Sequence, residues 1–136
     1  MKTFLTAAIT ILLFSCQSSA QTSGKWRGTV TNGYKGDSIH FVVSPDGKQI
    51  TELTFKGYWR CSGTLEQTEV GPEQSIPIVN GKADGVIVDP PDGGSTAWRF
   101  EFHGTFKENQ ASGTFRMNIS ALACDTYQLQ WTAVRK

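Results

Sequence analysis

His40 and His103 are the chain's two imidazoles, the side chains best suited to move protons near neutral pH. Neither stands beside a Ser, Cys or carboxylate in a recognised nucleophile pattern, so both read as surface residues. Arg99, Glu101 and His103 recur at every second position and on a strand would project side by side. Such a row is an acid–base patch, a face for a partner, or simply a solvated sheet surface. Asp89, Asp92, Gly93 and Gly94 hint at a calcium loop, but alternate oxygen ligands around a central glycine are missing, and the stretch reads as a turn. Cys61 and Cys124 belong to no C-x-x-C or Cys/His cluster, so no zinc site and no cofactor is expected. Tyr34, Tyr58, Trp59 and Arg60 are more suggestive, because flat apolar faces beside a cation stack on a sugar ring or a peptide at low entropy cost. With Trp26 and Trp98 they make up the candidate ligand-binding set, although the inward register of Trp59 suits core packing equally well.

The elements that must carry these residues read as strands. Along Trp98 to Lys107, Trp98, Phe100, Phe102 and Phe106 alternate with Arg99, Glu101, His103, Thr105 and Lys107, the period of a half-buried strand. Residues 51–60 repeat the pattern with Leu53, Phe55, Gly57 and Trp59 inward, and residues 126–133 with Tyr127, Leu129, Trp131 and Ala133 inward. Weaker strands are expected over 25–30, 38–43, 63–69, 82–88 and 111–119, which makes about eight. Asn32-Gly33, Pro45-Asp46-Gly47, Asn80-Gly81 and the run from Asp89 to Gly94 supply turns between them. Short links favour an all-β antiparallel meander that closes as a small barrel or folds as a barrel-like sandwich. The inward set includes Trp26, Ile39, Phe41, Val86, Phe115, Met117 and Trp131; bulk of this kind favours a filled interior over a hollow one. The stretch 63–79 is hardest to place, since Pro72 and Pro77 would confine a strand there to an edge.

The N-terminus reads as a processing segment. A positive start at Lys2 precedes an apolar run from Phe4 to Phe14, shorter than the roughly 20 residues that span a bilayer. Leu12-Leu13-Phe14-Ser15-Cys16 resembles the lipobox of bacterial lipoproteins, which implies a signal peptide over 1–15 and lipidation of Cys16; Ser18-Ser19-Ala20 offers the alternative of cleavage after Ala20. Residues 16–24 then form a tether and 25–136 a single β domain. Either cleavage leaves Cys61 and Cys124 as a pair, and export permits their oxidation. Gln17 after the Cys implies, by the lipoprotein rule, an outer-membrane location, with periplasmic or secreted forms as alternatives.

Gly24-Lys25-Trp26 resembles the G-x-W opening of lipocalins and of avidin-like barrels, and Arg135 stands where lipocalins carry an Arg packed near that Trp. The order Asp125-Thr126-Tyr127 departs from the lipocalin T-D-Y motif, and no C-terminal helix is visible. The whole chain is also similar to small exported bacterial β domains of no assigned activity, through Trp26-Arg27-Gly28-Thr29 near the start and Cys124 followed by Trp131-Thr132-Ala133 near the end.

A formal net charge of +1 with no basic run gives no footprint for nucleic acid. The expected function is a non-enzymatic binding or scaffold module of the cell envelope, with a small apolar or aromatic ligand as one ligand class. A surface that binds an envelope protein or a glycan through Arg99, Glu101 and His103 is the alternative, and a hydrolase with carboxylates not paired by sequence is the third. The expected membrane contact is the lipid on Cys16.

Overall fold

The computed structural model describes residues 21–136. The signal segment, Cys16 and the bond after Ala20 lie outside the described residues.

Ten strands follow one another: β1 Gly24–Val30, β2 Ser38–Val43, β3 Gln49–Cys61, β4 Thr64–Val70, β5 Ile76–Val79, β6 Lys82–Asp89, β7 Trp98–Lys107, β8 Gln110–Ile119, β9 Cys124–Asp125 and β10 Leu129–Arg135. Eight of them pair antiparallel in the order β10-β1-β2-β3-β5-β6-β7-β8, and β8 pairs back to β10, so the sheet closes into a barrel. The closing ladder runs from Leu129 opposite Phe115 to Val134 opposite Gln110. Closure removes the exposed edges that an open sheet must protect. It also turns every inward side chain toward one axis.

That axis is solid. Phe41 packs against Trp26, Phe102, Phe106 and Trp131 with ring centroids 5.8 to 5.9 Å apart, and Trp131 stacks on Phe102 at 5.1 Å. Trp131 fits because Gly104 lies beneath it; a Cβ there would come within 3.1 Å of the indole ring. Phe55 on Phe115, with Ile39, Ile50 and Met117, fills the middle. Near the other end Trp59 stacks on Trp98 at 5.2 Å and Trp98 on Phe100 at 5.9 Å.

Several sequence expectations need correction. Val86 points outward and is 52% exposed; β6 turns Ala83, Gly85 and Ile87 inward instead, and its apolar residues on both faces hide the period. Tyr127 is also outward, because the last stave begins at Leu129 and Tyr127 sits in a left-handed turn at φ 55°. The segment 63–69 forms β4, which pairs only with the outer half of β3 and is no stave of the barrel. The missing stave is β5, where Pro77 lies inside the closed ring rather than on an edge. Ile78 donates its amide to the Lys48 carbonyl at 2.7 Å, so the neighbour of the proline makes the ladder bond.

β3 is the longest strand and outruns β2. Its last residues pass over one end of the barrel, where two-residue β9 pairs Arg60 with Asp125 and Cys61 with Cys124, then pairs β8 on its other side. The Cys61–Cys124 disulfide lies across this bridge and fits an oxidising compartment. It spans a sequence separation of 63 residues. In the chain-entropy view a loop of that size stabilises the fold by about 4 kcal/mol. Replacing both cysteines with serine is therefore expected to lower the urea-unfolding free energy by about that amount; an unchanged midpoint would show that the bridge does not constrain the unfolded chain.

Candidate functional site

The β3–β9 end of the barrel gathers aromatic and polar groups into one open groove of about 320 Å³, lined by Asn32, Tyr34, Tyr58, Trp59, Arg60, Asp125 and Tyr127 among others. Three polar clamps hold its tyrosines. Asp37, only 1% exposed, accepts the Tyr34 amide at 2.8 Å through one oxygen and the Tyr58 amide at 3.0 Å through the other. A single carboxylate thus ties the 31–37 loop to β3 and sets the two rings edge to face, 5.8 Å apart. Room for it depends on Gly57, where a Cβ would stand 2.5 Å from the carboxylate. Asn32 accepts the Gln130 amide at 2.6 Å and donates to the Gln128 carbonyl at 3.2 Å, which fixes the loop to the start of β10.

Tyr127 is held from the opposite side. Asp125 accepts its amide at 2.7 Å, while the buried Thr126 hydroxyl accepts the Met117 amide at 3.0 Å and donates to the Tyr127 carbonyl at 2.9 Å. Arg116 grips Asp125 with two parallel bonds of 3.0 and 2.6 Å, a geometry that neutralises the carboxylate and raises the guanidinium pKa. Arg60 stands opposite Asp125 in the ladder, yet no carboxylate lies within ion-pair distance of it among the described residues. The groove therefore presents tyrosine faces beside a guanidinium whose donors are available.

Tyr34, Tyr58, Trp59 and Arg60 come together as the sequence suggested. Trp59 is nearly buried and offers the groove an edge, with Trp98 stacked behind it. Trp26 lies at the opposite end of the barrel, 1% exposed, and belongs to the core; its indole N–H donates to the Thr22 carbonyl at 3.2 Å. Arg135 stands opposite Trp26 in the β1–β10 ladder and donates to the Ser23 carbonyl at 2.6 Å.

Arg99, Glu101 and His103 do share the outer face of β7, but each is engaged by a neighbouring side chain. Arg99 bonds Glu101 at 2.8 Å, and His103 Nδ1 bonds Asp84 on β6 at 2.8 Å. Asp84 is a partner that sequence reading missed. Exposed pairs of this kind add roughly 0 to 1 kcal/mol each to stability.

Two further grooves run along the barrel wall. One of about 640 Å³ is lined by Thr29, Thr105, Ser112 and Thr132 with Arg27 and Lys107; the other, about 370 Å³, by Lys25, His40, Glu52 and Lys136 among others. Burial pushes the His40 imidazole below its ordinary pKa, and nearby Arg27 and Lys136 push the same way. Both are larger than the tyrosine groove, but their side chains are not fixed by buried clamps, and pre-organisation rather than volume makes a recognition site.

No family model, no curated protein and no solved structure matches this chain.

Asp37→Ala is expected to cost about 2 to 3 kcal/mol, the usual scale for hydrogen bonds to a buried charged group, and to abolish ring-to-ring nuclear Overhauser contacts between Tyr34 and Tyr58. Retention of both the unfolding midpoint and those contacts would show that the carboxylate does not hold the groove together.

Proposed function

We propose that this protein is a non-enzymatic recognition module of the cell envelope whose tyrosine groove binds a glycan. The observation that carries the reading is the Tyr34, Tyr58, Tyr127 and Arg60 constellation on backbone fixed by Asp37 and Asp125. Tyrosine rings supply apolar faces for the C–H side of a sugar, and their hydroxyls, with the Arg60 fork, supply bonds to its oxygens. Little side-chain entropy is lost when such rings engage a ligand.

The filled axis supports binding at the barrel end over binding within it. The carboxylates support recognition over hydrolysis. Asp37 is spent on two backbone amides and Asp125 on Arg116, so neither is free to act as an acid or a base. In this reading the mature protein is an outer-membrane lipoprotein anchored through Cys16.

Oligosaccharides added to isotope-labelled protein are expected to shift the Tyr34, Tyr58 and Tyr127 ring resonances in a saturable manner. Tyr58→Ala should weaken that binding roughly tenfold, the loss of one stacked aromatic contact. Saturable shifts confined to the barrel wall, or none with any neutral or acidic oligosaccharide tested, would overturn the assignment.

A further inference from the structure

Charge is spread evenly over the composition but not over the barrel. Lys2 alone of the 13 Lys and Arg precedes residue 21, so residues 21–136 carry 12 cations against 12 carboxylates. At the end opposite the tyrosine groove, the strand termini and turns place Lys25, Lys48, Lys82, Lys107, Arg135 and Lys136 together, all exposed, against Asp46 and Glu108. Asp46 is engaged in its own turn, accepting the Ser44 hydroxyl at 2.6 Å and the Lys48 amide at 3.0 Å. On the adjoining wall, Glu52 and Glu69 line one groove with Lys25, Arg27 and Lys136, and Glu69 pairs with Lys56 at 3.3 Å. A neutral domain therefore carries a strongly basic rim at one end.

The same end receives the chain. Gln21 and Thr22 both donate to the Glu108 carbonyl, at 3.1 and 3.4 Å, and Arg135 holds Ser23, so the entering segment is stapled across the basic rim. Five residue steps separate Gln21 from Cys16, a reach of at most about 18 Å even when fully extended. Whatever holds Cys16 at a bilayer also holds this rim close to it.

We infer that the basic rim docks on an anionic phospholipid surface, standing the barrel on end with its tyrosine groove directed away from the membrane. The inference uses the anchor assigned to Cys16 to choose a membrane over a soluble polyanion, but the rim's affinity for lipid is a property of the domain itself. Cations within a Debye length of a negative surface, about 8 to 10 Å at ordinary salt, are attracted strongly. A cluster on one end orients the molecule as well as binding it.

The test is co-sedimentation of the exported chain carrying Cys16→Ser, which removes the lipid, with vesicles of phosphatidylcholine alone or mixed with phosphatidylglycerol at low salt. Preference for the anionic vesicles is expected, with each rim cation neutralised lowering partitioning about fivefold. Lys107→Gln combined with Lys136→Gln should thus reduce it about 25-fold, whereas Arg60→Gln with Arg99→Gln at the other end should leave it unchanged. Equal partitioning into both vesicle types, equal losses from the two pairs, or binding to a sulfated polysaccharide without binding to vesicles would overturn the inference. Glycan binding measured on the same variants keeps the two proposals apart, because the rim pair should retain it.

Discussion

The β8–β10 ladder closes the sheet on itself, and the remaining architecture follows from that closure. Once Leu129 to Val134 pair with Phe115 to Gln110, the eight-stranded ring itself has no free edge, only β4 outside it keeping an unpaired side, and the inner faces of eight strands must share one narrow column. Aromatic side chains fill it from Trp26 at one end to Trp98 at the other. Gly104 makes the space that Trp131 occupies. A solid interior leaves the walls and the two ends as the surfaces on which function can reside.

The ends are built differently. At one, β3 overruns its neighbours and is tied down by β9 and the disulfide, and the surrounding loops are fixed by buried polar groups rather than by apolar packing. Polar clamps of this kind are costly unless every bond is made, so they hold the tyrosines in one arrangement. At the other end, the β2–β3, β5–β6 and β7–β8 turns and the two ends of the described chain meet, and the side chains flanking them are mostly basic. The groove proposed for recognition and the basic rim proposed to meet a membrane thus lie at opposite poles of one barrel.

Much of the fold was legible because alternation survives where strands are regular. Trp98 to Lys107 and Leu53 to Arg60 carry large apolar residues on one face only, and both registers are as read. The pairing of Cys61 with Cys124 was legible because no other cysteine lies in the domain. Where β-branched residues occupy both faces, as in Gly85 to Val88, the period vanishes and Val86 was misplaced. β5 was hidden by its four-residue length and by Pro77, whose missing amide is harmless when Ile78 makes the bond. At the site, the aromatic members stand out by residue type alone. Asp37 does not, since its task is defined by Tyr58, 21 residues away in the chain. The basic rim is equally invisible in sequence, its members being scattered one or two at a time over more than a hundred residues and joined only by the return of each strand to the same end.

Amide hydrogen exchange across the closing ladder tests the architecture most directly. The ladder amides of residues 129–134 and 110–115 should exchange only through global unfolding, as slowly as the most protected amides of β7. Exchange in these two strands at the rate of the exposed 91–95 loop, with β6 and β7 still protected, would mean an open sheet with free edges, and would contradict both the solid interior and the two-ended proposal built on it.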